Sequence, residues 1–213
     1  MPASTNSLDD LRHGSGNGRS VGKGAWGDRL LRSAGDDGWR DWLRHRGSLT
    51  ARLQQLGPFA VRVLRQELAP PTRDEALLLG LPPGQRVWVR EVALYCADRR
   101  VVFAHTVLPY RPRGRLTGWL ARLGNRSLGA MLFAHAGFRR GTMHFKRLDA
   151  RHALFSPALR ALAAEADAAK HLWARRSQFF FAVQTVLVTE IFAPPLLNRR
   201  PADEFHRRLP SDA

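Results

Sequence analysis

Two pairs of alternating apolar runs, Arg86 to Cys96 with Val101 to Leu108 and Arg176 to Val183 with Thr185 to Phe192, are each separated by four residues or fewer. A gap that short cannot hold a crossover connection, so each pair must turn back on itself as an antiparallel hairpin. Ala97 to Arg100 reads as the loop of the first hairpin, and the turn of the second falls near Ala182, where no glycine is available for a left-handed residue. Phe59 to Leu68 and Phe138 to Leu148 alternate in the same way, with Phe59, Val61 and Val63 on one side of the first. Five or six strands of this kind, joined by short helical stretches, specify an α+β fold with a largely antiparallel sheet and helices packed on it.

The helices are marked by stripes and stops. Trp39, Trp42 and Leu43 form one apolar stripe; Ser48 is placed to cap a second helix carrying Leu49, Leu53 and Leu56, which Gly57-Pro58 ends. Asp74 to Leu81, bracketed by prolines, suggests a turn or two of helix. Leu116 to Leu123 and Ser127 to Phe133 give two more, and Ser156-Pro157 with the Ala-rich stretch to Leu172 reads as the clearest helix of the chain.

Strand alternation also sorts side chains onto faces. In the first hairpin one face carries Trp88, Arg90, Val92 and Leu94; in the last strand one face carries Val186, Val188, Glu190 and Phe192. Arg90 and Glu190 are therefore charges in apolar rows, and a buried ion costs several kcal/mol unless it finds a partner. They could face solvent, bridge each other, or point into a cavity. In the cavity the guanidinium would hold a carboxylate and the glutamate would handle a hydroxyl or a proton, which suits a small flat anion with a polar group at its far end. His105, in the row of Val101, Phe103 and Val107, reads as a core histidine rather than a catalytic one.

Composition narrows the class. The chain has 213 residues, 34 basic and 18 acidic, for a net charge of +16. Residues 1 to 38 are neutral on balance and Gly/Ser-rich, reading as a disordered tail, with a polar tail at residues 198 to 213; the positive charge sits on residues 39 to 197. That charge is scattered arginine rather than a basic run, so no nucleic-acid partner is expected. One cysteine, Cys96, excludes an intrachain disulfide. No apolar run approaches the roughly 18 residues that cross a bilayer, and no export signal is read at the start, so the expected location is the cytoplasm. The eight histidines show no tight metal-ligand spacing; no P-loop or GxSxG elbow occurs, and Gly22, Gly24 and Gly27 spell GxGxxG without the strand that motif needs. No metal is expected.

Several stretches, in order, resemble the chorismate lyase (chorismate pyruvate-lyase) family: Asp41-Trp42-Leu43, Ser48-Leu49-Thr50, Val87 to Glu91, Thr106 to Pro109, Leu123-Gly124, Ser127-Leu128-Gly129, Leu132-Phe133, Leu172 to Ser177 and Leu187 to Pro194. The resemblance implies a chorismate-lyase-like sheet. It further implies cleavage of chorismate to 4-hydroxybenzoate and pyruvate, for ubiquinone biosynthesis, without cofactor and as a monomer. By the same resemblance Arg90 holds the ring carboxylate, Glu190 lies near the hydroxyl, and Leu49 and Leu128 complete a closed pocket under flaps. Residues 134 to 172 are longer than in small members, and Leu49 stands where some relatives have methionine. The alternative is a sensor domain of the same fold that binds a small aromatic acid without catalysis, as in some transcription regulators. Residues 1 to 38 are too short and Gly-rich for the DNA-binding helices such regulators carry.

Overall fold

A computed structural model describes residues 25–30, 37–111, 114–163 and 169–197. Its centre is one six-stranded sheet in the order β1-β2-β3-β6-β5-β4, every neighbouring pair antiparallel. The strands are β1 (Phe59–Ala69), β2 (Val87–Cys96), β3 (Arg99–Pro109), β4 (Arg139–Leu148), β5 (Leu172–Phe181) and β6 (Gln184–Phe192). Both expected hairpins are present. Each turns through two residues, Ala97-Asp98 and Ala182-Val183, with φ of +48° and +62° in the first and +48° at Ala182. Positive φ at non-glycine residues is strained, and the pairing of the flanking strands holds it in place.

Helices cover both faces. On the face of Arg90 lie α1 (Asp37–Arg44), α2 (Leu49–Gln54), α4 (Arg115–Ala121) and α5 (Leu128–Ala134). Trp42, Leu43, Leu49 and Leu53 pack on Val92, Ala104 and Phe192, while Leu116, Leu120, Leu128 and Leu132 pack near Leu108, Phe179 and Val186. The opposite face takes α3 (Arg73–Leu79), whose flank meets Val87, Val89, Val107 and Leu187, and α6 (Phe155–Leu162), which meets Phe103, Ala174 and Ile191. A short α7 (Pro194–Leu197), not expected from the sequence, follows the last strand.

Three sequence expectations need correction. The helix expected with Ser156 as cap and Pro157 first starts two residues earlier, with Leu154 as cap, and closes at Ala163 rather than reaching Leu172; Leu172 opens β5, which therefore begins four residues before the expected Arg176. Alanine content favours helix, but Leu172 and Ala174 are almost wholly buried and pair with Leu148 and Lys146, so tertiary pairing overrides propensity there. Part of the segment read as a disordered tail is docked. Gly27 exchanges two backbone hydrogen bonds with Phe145, Leu30 is buried, and the Trp26 indole donates to Asp74 Oδ2 at 2.7 Å. The remainder of that tail and residues 198–213 lie outside the described residues.

Candidate active site

Register fixes what can meet above the sheet. Arg90, Thr106, Val188 and Ser177 pair in one row across β2, β3, β6 and β5; Val92, Ala104, Glu190 and Arg175 form the next row. Side chains two residues apart on a strand share a face, so Arg90 and Glu190 rise from the same side. Two strand spacings and one two-residue step separate their Cα atoms by about 12 Å. They do not bridge each other.

Arg90 is 1% exposed and has no carboxylate partner among the described residues. Its Nη2 donates to the backbone carbonyls of Gly124 at 2.8 Å and Arg126 at 3.2 Å, on the loop between α4 and α5. Its Nε is buried with no acceptor. Burial pulls the guanidinium down to about 10, which still leaves it charged near neutrality. A cation held only by carbonyls, with one donor unspent, is a state that an incoming carboxylate would complete; an unmet buried donor ordinarily costs about 1–3 kcal/mol.

Glu190 instead meets Arg175, whose Nε donates to Oε2 at 2.5 Å. Arg175 is as buried as Arg90, and its Nη1 donates to the carbonyls of Trp42, Leu43 and His45 at 3.1, 3.4 and 2.8 Å. It therefore ties the glutamate to the C-terminal end of α1, leaving Glu190 Oε1 without a donor among the described residues. The sequence reading did not single out Arg175. Its signal was available in the alternation of β5, but starting that strand at Arg176 left Arg175 without a face. Arg140 was missed as well: it reaches over the same row, Nε donating to Ser177 Oγ at 3.0 Å and Nη1 to the Arg46 carbonyl at 2.8 Å.

Leu49 and Leu128 open α2 and α5 directly after the capping serines Ser48 and Ser127, whose hydroxyls accept from Ala51 and Ala130. Both leucines are buried, and a hydroxyl hydrogen bond between Thr50 and Ser127 at 2.5 Å joins the two helix starts. The starts of α2 and α5 thus meet on the sheet face that carries Arg90. An open cleft of about 650 Å³ lies elsewhere, at the β5–β6 turn, lined by Arg111, Arg115, Phe181, Val183 and Gln184.

The chorismate lyase family profile matches residues 36–201. A protein from Dechloromonas aromatica named "Probable chorismate pyruvate-lyase" is 45% identical over 174 residues, covering 81% of this chain and 92% of its own length. One of the same name from Nitrosospira multiformis is 43% identical over 164 residues, covering 75% of this chain and 88% of its own. The chain belongs to the chorismate lyase family. Similar solved structures include the effector domain of PhnF from Mycobacterium smegmatis, at 19% identity and a TM-score of 0.49, covering 70% of this chain and 90% of that one. As a member of the lyase family the chain falls among the carbon-oxygen lyases. No helix among its described residues is long and apolar enough to cross a membrane.

Proposed function

We propose that this chain cleaves chorismate to 4-hydroxybenzoate and pyruvate, with Arg90 as the anchor of the ring carboxylate and Glu190 as the partner of the ring hydroxyl. The observation that carries the assignment is the buried Nε of Arg90, a charged donor with no acceptor among the described residues, on the sheet face that also presents Glu190.

The reaction asks little covalent chemistry of the protein. The C3–O ether bond of chorismate breaks, the C4 proton leaves, the ring becomes aromatic, and the three-carbon arm departs as pyruvate. Positioning, exclusion of water and help with one proton suffice. Arg90 fixes one end of the ring by a charge-assisted hydrogen bond. Arg175 acts as a positioning residue: by occupying Glu190 Oε2 it aims Oε1 at the site, where that oxygen accepts from the 4-hydroxyl. Leu49 and Leu128 close the apolar walls. The 4-hydroxybenzoate formed would serve ubiquinone biosynthesis, with the chain acting as a monomer in the cytoplasm.

Incubating the purified protein with chorismate and following 4-hydroxybenzoate by its absorbance tests the activity; absence of product from folded protein removes it. Glu190→Gln, with kcat measured under saturating chorismate, tests the second half. A fall of about ten- to a hundredfold is expected, and an unchanged kcat would reduce Glu190 to a spacer.

A further inference from the structure

Chorismate carries two carboxylates, one on the ring and one on the enolpyruvyl arm, so a dry site must meet two negative charges. We propose that Arg140 receives the carboxylate of the enolpyruvyl arm and so selects a dicarboxylate substrate over ring monocarboxylates. This rests on the reading of the site given above.

The charges borne by the sheet on this face support the assignment. Arg147 shares the face but is exposed; of the charges the sheet buries or half-buries there, Arg90, Arg140 and Arg175 stand against Glu190, which leaves two cations in excess, the number a dianion needs. Arg175 is committed to Glu190 and three carbonyls. The two cations left over are Arg90 and Arg140. Arg140 is half-buried and, like Arg90, has only neutral acceptors, the Ser177 hydroxyl and the Arg46 carbonyl. No carboxylate among the described residues pairs with it directly; burial pulls it down to about 10, with the charge of Glu190 pulling the other way. Its guanidinium is also oriented, with its central carbon 5.5 and 5.4 Å from the ring centres of Phe133 and Phe179, an arrangement that favours planar, two-pronged recognition.

Placement matches the substrate's connectivity. Ser177, which Arg140 bonds, lies in the row of Arg90 three strands away, and Glu190 lies one step along the neighbouring strand. The ether and the hydroxyl of chorismate sit on adjacent ring carbons, C3 and C4. With the ring carboxylate on Arg90, adjacent substituents face adjacent groups, the arm toward Arg140 and the hydroxyl toward Glu190. The product 4-hydroxybenzoate has lost the arm, so it makes no use of Arg140.

That asymmetry defines the experiment. Calorimetric titration of wild type, Arg140→Met and Arg140→Lys with 4-hydroxybenzoate and with 3-(carboxymethoxy)benzoate, a dicarboxylate that cannot react, separates the two subsites. Arg140→Met is expected to weaken the dicarboxylate by about thirtyfold, leave 4-hydroxybenzoate within about threefold, and raise KM for chorismate in parallel with the dicarboxylate; Arg140→Lys is expected to recover part of the loss. Equal weakening of both ligands, or none of either, overturns the proposal. Should Arg140→Met fail to fold, since it also loses the bond to Arg46, the lysine variant decides: a selective loss of the dicarboxylate supports the proposal and an equal loss refutes it. Wild type that prefers the dicarboxylate through Arg140 yet forms no 4-hydroxybenzoate sinks the lyase reading alone. Turnover without that preference sinks the Arg140 assignment alone.

Discussion

Both faces of the sheet bury charge, and they treat it differently. On the face of α3, His105 lies between two carboxylates: its Nδ1 is 3.0 Å from Glu91 Oε1, and its Nε2 is 3.0 Å from Glu75 Oε1, angled off the hydrogen-bond direction. Glu75 also accepts the Thr72 backbone N–H at 2.9 Å, closing the start of α3. Beside it, Asp74 takes Arg176, Thr72 and Trp26. Every ion there faces an opposite charge. On the other face, Arg90 and Arg140 face only neutral acceptors. A charge in an apolar row thus signals little until its partners are known: complementary partners make a brace, whereas a cation left on carbonyls makes a receptor.

The comparison can be broken from either side. Arg90→Ala should lower kcat/KM by about two to three orders of magnitude while leaving unfolding stability equal or higher, because it removes a buried, unneutralised cation. Steady-state kinetics with urea unfolding checks both, and a large loss of stability would make Arg90 another brace. Glu75→Ala on the opposite face should do the reverse. It strands His105 and the Thr72 N–H, costs about 3 kcal/mol by urea denaturation, and leaves kcat unchanged in the folded protein.

A smaller effect follows from acidity. Burial alone would lower His105, but the two carboxylates of Glu75 and Glu91 on either side of it outweigh burial and raise the imidazole to about 9. A raised folded-state pKa contributes stability that is fully present below the unfolded value near 6.5 and is lost as pH climbs through about 9. Stability should therefore decline by on the order of 2 kcal/mol between pH 6.5 and 9.5, and His105→Gln should flatten that slope. Thermal melts across this range, at fixed ionic strength, read it directly. The smallest effect concerns the turn: Ala182→Gly relieves a φ of +48° and should add about 0.5 kcal/mol, visible as a modest rise in Tm.

Much of the fold was legible because alternation and capping are local. The hairpins, the Ser48 cap, the helix start at Ser127 and the faces of Arg90 and Glu190 all follow from residues a few positions apart. What was not legible depended on distant partners. Leu172 reads as helix by its neighbours and becomes strand because Leu148 is there to pair with it. Arg175 and Arg140 acquire meaning only when β5 and β4 line up beside β6, and Trp26 only when Asp74 is in reach. The expectation for His105 as a core histidine agrees with its position, although neither carboxylate beside it could be named from spacing.

The grip on Arg90 comes from main-chain oxygens of residues 124 and 126, not from their side chains. The letters of that loop matter to the grip through the backbone path they permit, as at Gly124, whose φ of +56° suits glycine. A single deletion there would swing both oxygens away and disarm the protein without altering any residue that an inventory of reactive groups would name.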